Sequence, residues 1–273
     1  MASLHVYPLK SAGGFALPAV RVDETGLEHD RRWMIVDANG RFLTQRSHAR
    51  MALVRTVLGD GFLRVTGPGT GPLELPLAPP DPDAPHEVVD VWDKERWAVS
   101  CGEEAATWAS AYMGTACRIV RAVSPPGRPR VNERGTLHAG FADGYPALVL
   151  STASLADLNA RLFEPLPMNR FRPNVVVEGV AAYAEDGWES ARVGDVTVRG
   201  RKSCFRCAIT TTDQETGERG VEPLRTLATY RRDPGGEVAF GMNVGFGGAG
   251  TLRVGDEVRV DAGAGRAGHL GRP

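Results

Sequence analysis

Three consecutive valines, Val175-Val176-Val177, constrain this chain more than any other stretch. Successive side chains of a strand point to opposite faces, so three β-branched apolar residues in a row need cover on both sides. A second apolar run at 147–150 fits the same role. Around them lie short β-rich runs at 4–6, 20–22, 33–36, 41–45, 51–58, 62–66, 88–91, 96–99 and 118–123. Asn39-Gly40, between two of these runs, is a hairpin signal, because both residues tolerate positive φ. Arg192-Val193-Gly194-Asp195 is echoed by Arg253-Val254-Gly255-Asp256, two turns into alternating strands that suggest a barrel-like sheet. Helical periodicity is confined to 103–113, 151–162 and a short stretch from Pro223 to Arg232. The expected class is mainly β with a few helices (α+β).

Proline and glycine punctuate this pattern. The stretch 67–85 is dense in both and reads as a long surface loop. Ser124-Pro125-Pro126-Gly127-Arg128-Pro129-Arg130 is the best candidate boundary. The expected organisation is a β-rich domain over 1–123, a second β domain over 124–262, and a Gly- and Ala-rich tail, 263–273, without order.

The stretch Lys202-Ser203-Cys204-Phe205-Arg206-Cys207 carries the chemistry. Arg206 beside Cys207, with Lys202 upstream, favours the thiolate that binds soft metals or attacks electrophiles. The β-branched run 208–212 reads as a strand, which would hold the thiol on a rigid element. A zinc site needs a second cysteine pair or nearby histidines, and Cys101, Cys117 and the six histidines supply neither spacing. A thioredoxin-like pair belongs at a helix N-terminus. The blandest reading, two buried structural cysteines, predicts apolar neighbours rather than Lys202, Ser203 and Arg206.

Composition narrows the partners. Over 273 residues the formal net charge is −1, which leaves no basic field for nucleic acid. No apolar run reaches membrane-spanning length, and the first ten residues lack the pattern of a signal peptide. Four cysteines in so long a chain make no disulfide framework, so a reducing cytoplasm is the expected compartment. Lys10 and Ser11 before Gly13-Gly14 could meet a phosphate. Arg31 is a better ligand candidate than Arg46, and Asn169-Arg170-Phe171-Arg172-Pro173-Asn174 makes an anion-friendly pocket wall.

In order and spacing, these segments resemble the MOSC-domain proteins (named for the molybdenum-cofactor sulfurase C-terminal domain), specifically their amidoxime-reducing branch. The resemblance runs through Tyr7-Pro8-Leu9-Lys10-Ser11, Asp30-Arg31-Arg32-Trp33, the helix after Ser151, Phe171-Arg172-Pro173-Asn174, Cys204-Phe205-Arg206-Cys207, Thr210-Thr211-Thr212-Asp213 and Gly250-Thr251-Leu252-Arg253-Val254-Gly255-Asp256. It implies an N-terminal β-rich domain and a MOSC β-barrel that jointly hold a molybdenum–molybdopterin cofactor. By the family pattern Cys207 binds the metal, with Arg206 beside it at the site. Lys10, Ser11 and Arg31 hold the pterin and its phosphate, Arg172 and Asn174 add contacts, Asp143 and Gly144 line the site, and Asn243 stands at a further contact position. The implied activity is reduction of small N-hydroxylated substrates such as amidoximes, hydroxylamines and N-hydroxylated bases. The sequence contains no GxGxxG in a strand–turn–helix context and no iron–sulfur cysteine run. Electrons are therefore expected from a separate protein, a ferredoxin, flavodoxin or flavin reductase. Two other roles are open to the same fold: a sulfur carrier with a persulfide on Cys207, and a non-catalytic module that stores the cofactor.

Overall fold

A computed structural model describes residues 1–123 and 140–261. The boundary expected at 124–130 and the tail expected at 263–273 lie outside the described residues. The valine triplet sits where its side chains require. Val175–Val177 is buried along its whole length, paired in parallel with Ala147–Ser151 and antiparallel with Ser3–Val6. An eight-stranded sheet extends from this point. On one side follow Ser3–Val6 and Phe15–Leu17; on the other follow Ala147–Ser151, Ala239–Phe246, Val196–Phe205, Ser190–Val193 and Val258–Val260. The first residues of the chain thus complete a sheet built mainly by its second half. Their Leu4 and Val6 share one core with Val149, Val175, Val177 and Val244.

The intervening chain makes its own layers. Trp33–Asp37, Cys117–Ala122, Glu95–Ser100 and His86–Asp90 form a four-stranded sheet in that order. Arg55–Leu58, Phe62–Thr66 and Leu73–Pro76 form a meander. The helix Glu103–Met113 packs Trp108, Ala109 and Tyr112 into a core with Trp33, Ile35 and Leu63. Glu103 and Glu104 complement its N-terminal dipole, and Gly114 ends it at φ +72°. Complete burial of an indole such as Trp33 stabilises by roughly 4–6 kcal/mol before entropy is counted. The fold is mainly β with three α-helices among the described residues, the class expected. None of these helices is long and apolar enough to cross a membrane.

The two Val-Gly-Asp turns lie against each other, since Ser190–Val193 pairs with both Val196–Phe205 and Val258–Val260. Gly194 is needed there twice over. Its φ is +56°, and a Cβ would stand 2.9 Å from the Asp256 carboxylate.

Local readings fail where side chains compete with periodicity. The run 208–212 is not a strand; Ala208–Thr211 is a single 3-10 turn. Its threonines turn inward on the backbone: Thr210 Oγ1 donates to the Cys207 carbonyl and Thr211 Oγ1 to that of Ala208, both at 2.9 Å. The loop at 67–85 contains the strand Leu73–Pro76, whose alternating burial of Leu73 and Leu75 outweighs the surrounding prolines. The run 51–58 opens as the 3-10 helix Ala49–Leu53 before its strand begins. The helix after Ser151 is only Thr152–Asn159, capped by Ser151 Oγ accepting from the Ser154 N–H at 3.0 Å. The stretch after Pro223 shortens to Leu224–Leu227.

Gly200 tests the packing of the large sheet, because a Cβ there would stand 1.8 Å from the Trp188 carbonyl oxygen. Gly200→Ala is expected to destabilise by about 1–3 kcal/mol or more, lowering Tm by roughly 2–4 °C for each kcal/mol. Gly71, with nothing within 4 Å of a built Cβ, is the control. Gly71→Ala is expected to move Tm by no more than about 2 °C. Thermal melts followed by circular dichroism check both.

Candidate functional site

The site begins where two paired strands end. Ser3–Val6 and Val175–Val177 run antiparallel, with Leu4 opposite Val175. Extending that register past Val6 brings Tyr7 opposite the 172–173 segment. Tyr7 Oη accordingly donates to the Pro173 carbonyl at 3.0 Å. Gly14 leaves room for the Tyr7 ring, since a Cβ there would come within 2.3 Å of it.

Three site residues then adopt left-handed backbone: Ser11 at φ +66°, Arg31 at +48° and Arg172 at +56°. Each such residue costs about 1–2 kcal/mol relative to ordinary φ. Hydrogen bonds hold them there. The Arg31 N–H donates to the Tyr7 carbonyl at 2.9 Å, and the Arg172 N–H to the Asn169 carbonyl at 3.1 Å. Strain concentrated in three candidate ligands marks a site whose side-chain directions are fixed by the surrounding fold.

Both guanidinium groups stack on the Tyr7 ring, Arg31 at 4.6 Å and Arg172 at 4.3 Å from its centroid. Their further partners differ. Arg31 forms an ion pair with Asp30 and donates to Asn174 Oδ1 at 2.9 Å. Burial alone would lower its pKa, and Asp30 reverses the sign and raises it. Arg172 meets no carboxylate at ion-pair distance among the described residues. Its guanidinium donates only to Gln214 Oε1, at 3.4 Å. It is 9% exposed, and burial pulls its pKa down to about 10. The same burial pushes the Tyr7 phenol up to about 12.

Lys10 is more deeply placed than Arg172. Its Nζ donates to the Phe141 carbonyl at 2.8 Å and pairs with Asp143. Burial lowers its pKa, and Asp143 opposes that shift. Asp143 is a convergence point, since it also accepts from Arg46 Nη2 at 3.3 Å and from Trp92 Nε1 at 3.0 Å. Burial would raise its pKa, but Lys10 and Arg46 hold it well below the usual carboxylate range. Around this centre the cations Lys10, Arg31, Arg46 and Arg172 face the carboxylates Asp30 and Asp143.

Asn174 is completely buried and saturated. Its Oδ1 accepts from Arg31 and from the Leu148 N–H, while its Nδ2 donates to the His5 carbonyl and Asp30 Oδ1. A side chain so engaged positions Arg31. Ser11 supplies its carbonyl to Gln45 Nε2 at 2.8 Å. Gln45 and Gln214 exchange amide hydrogen bonds at 3.2 and 3.3 Å, linking the Ser11 loop to Arg172.

The cysteines divide in an unexpected way. Arg206 was expected to favour a Cys207 thiolate, yet its Nη1 points to Cys204 Sγ at 2.9 Å and its Nη2 to the Phe171 carbonyl at 2.6 Å. Lys202 lies over the Phe205 ring at 4.5 Å. Cys207 caps the 3-10 turn, and its sulfur has no hydrogen bond among the described residues. All four cysteines are free thiols.

Many of these groups line one cavity of about 610 Å³, while Tyr7, Asp30, Gln45 and Gln214 are not part of its lining. Lys10, Ser11, Arg31, Asp143, Gly144, Arg172, Asn174, Arg206, Cys207 and Asn243, every candidate from the sequence, lie on it. Asn243 reaches the rim through its strand and donates to the Ser203 carbonyl at 3.4 Å. Arg46, ranked below Arg31 in the sequence, and Trp92 belong to the same wall. No one-dimensional signal announced Trp92, and Tyr7 was visible only as a member of its motif. Among the described residues no cluster of three or more His, Cys, Asp or Glu forms a metal cage.

Known proteins match the chain along nearly its whole length. The sequence profile of the MOSC N-terminal beta barrel domain matches residues 1–116, and that of the MOSC domain matches residues 135–259. The chain is 35% identical over 277 residues to mitochondrial amidoxime-reducing component 1 of Mus musculus, covering 94% of this chain and 81% of that protein. It is 34% identical over 278 residues to mitochondrial amidoxime reducing component 2 of Rattus norvegicus, covering 93% and 80%. Component 1 of Homo sapiens is 33% identical over 276 residues, covering 94% and 82%. These relatives are mitochondrial by name, which overturns the cytoplasmic expectation. That expectation rested on unpaired cysteines, which ask only for a reducing environment and do not distinguish one such compartment from another. With both halves matched in order and relatives aligned along nearly its whole length, the chain belongs to the MOSC-domain family, among the amidoxime-reducing components.

Proposed function

We propose that the chain is a molybdenum-cofactor-dependent reductase of N-hydroxylated compounds such as amidoximes, hydroxylamines and N-hydroxylated bases. Arg172 is the observation that carries this reading. A buried guanidinium without a carboxylate is costly unless an anion arrives to meet it. A phosphorylated pterin is such an anion, and the 610 Å³ cavity is of cofactor size. The donor set fits as well: a cysteine sulfur without a hydrogen bond is a natural ligand for a soft metal.

In this reading Arg172, Arg31 and Lys10 bind the phosphate and pterin through charge-assisted hydrogen bonds. Ser11 contributes its hydroxyl. Asp30, Asn174 and Tyr7 fix the two arginines before anything binds, so little ordering remains at the moment of binding. Cys207 holds the metal, while Arg206 is retained by Cys204 and Phe171 and shapes the wall beside it. Asp143, Gly144 and Asn243 bound the remaining space. Bound here, the cofactor supplies the two-electron redox chemistry. Conversion of an amidoxime to an amidine and water consumes two electrons and two protons. The electrons come from a separate donor protein, because the chain carries no nucleotide or iron–sulfur motif of its own.

Molybdenum-loaded protein given reduced viologen and benzamidoxime is expected to form benzamidine, and NADH with the protein alone is not. A verified metal load without any turnover on viologen would refute the reading. Cys207→Ser is expected to lower molybdenum content and turnover by more than about 100-fold, since a ligand should matter at least as much as the groups behind it. Cys204→Ser should keep most of both, because its sulfur serves Arg206. Metal analysis and single-substrate kinetics on the two variants separate these outcomes.

Arg172→Met tests the unpaired charge itself. Loss of charged hydrogen bonds is expected to weaken cofactor retention by about 10- to 100-fold. The cofactor-free variant should melt at the wild-type temperature or above it, because an uncompensated buried cation has been removed. A large fall in the Tm of the cofactor-free protein would make Arg172 a structural residue instead.

A further inference from the structure

Trp92 is an unusual residue for its turn. The strands His86–Asp90 and Glu95–Ser100 pair antiparallel, and the connection closes with two bonds between Val91 and Lys94. The Val91 N–H donates to the Lys94 carbonyl at 2.9 Å, and the Lys94 N–H to the Val91 carbonyl at 3.2 Å. The two residues between them, Trp92 and Asp93, sit at φ +58° and +57°. Positive φ at both central positions defines the mirror-image hairpin turn that favours Asn-Gly. A bulky aromatic in the first position is strained, and nothing about the hairpin itself calls for an indole.

The ring is nevertheless held in one orientation by three groups from two other segments. Its Nε1 donates to Asp143 at 3.0 Å. The Arg46 guanidinium stacks at 4.5 Å from its centroid, and Phe42 meets it edge-on at 4.8 Å. Even so, 43% of Trp92 remains exposed, and it lines the same cavity as Cys207. A strained, oriented and half-open indole, in a cavity wall that also holds Phe171 and Phe205, suits a flat apolar ligand. Such a ring gains from stacking on an aromatic face and needs no hydrogen bond there.

The geometry points to Trp92 as the specificity-determining residue of this site, a stacking platform that selects N-hydroxylated substrates carrying a flat aromatic group over small aliphatic ones. This rests on the reductase reading for the identity of the reacting group, but stacking can be measured without turnover. A platform binds ground state and transition state alike, so its removal acts on KM and leaves kcat little changed.

The test compares benzamidoxime with acetamidoxime on the molybdenum-loaded wild type, Trp92→Asn and Trp92→Phe. Asn is at home in this turn, so Trp92→Asn keeps the hairpin while removing the ring. The ratio of KM for benzamidoxime to KM for acetamidoxime is expected to rise about tenfold in Trp92→Asn. Trp92→Phe should restore most of the difference. The same ratio, read as Kd by calorimetric titration of both compounds, tests the platform even if the wild type reduces neither, an outcome that would sink the reductase reading alone. An unchanged ratio in Trp92→Asn, with both compounds weakened equally or not at all, overturns the proposal. So does a wild type that binds the two compounds equally.

Discussion

The arrangement depends on a buried positive charge that no carboxylate among the described residues meets at ion-pair distance. Arg172 leaves water, stacks on Tyr7 beside Arg31, and among the described residues its guanidinium donates only over a long contact to Gln214. Burial pulls its pKa down to about 10, while Asp30 and Asp143 act in the opposite direction. Asp30 and Asn174 hold Arg31, while Asp143 restrains Lys10 and Arg46 at the other side of the cavity.

The sheet makes such a cluster possible. Pairing of Ser3–Val6 with Val175–Val177 ties the start of the chain to a strand 170 residues away in sequence. Both strands end at the cavity, so Tyr7, Pro8 and Lys10 emerge beside Arg172 and Asn174. A slip of that register by one residue would reverse every side chain of the valine triplet and separate Tyr7 from the arginine it carries. Core packing and ligand placement are therefore set by the same hydrogen bonds.

Around the cysteines the division of labour is local. Thr210 and Thr211 wind the chain into one 3-10 turn directly after Cys207, which leaves that thiol at the cavity wall. Arg206 swings back to Cys204 and the Phe171 carbonyl. One cysteine thereby anchors an arginine of the wall, and the other presents a sulfur without a hydrogen bond. Two identical side chains three positions apart acquire different hydrogen-bond surroundings from the direction of a single guanidinium.

Much of this was legible in one dimension. The valine triplet announced a doubly covered strand, Asn39-Gly40 a turn, Ala105, Trp108 and Tyr112 a helix face, and the ordered motifs a family with its ten candidate site residues. Periodicity succeeds there because burial repeats every two or 3.6 residues, whatever the partner. It failed at 208–212, where threonine hydroxyls competed with the ladder, and at Leu73–Pro76, where two buried leucines were hidden among prolines. The tertiary structure alone decided which groups meet. Arg206 on the Phe171 carbonyl, Tyr7 under two arginines, Asn174 buried behind Arg31 and Trp92 at the cavity wall all join residues distant in the chain or turned by strained backbone. Such contacts depend on strand register and on left-handed φ at Ser11, Arg31, Trp92 and Arg172, which a string of residue types does not encode locally.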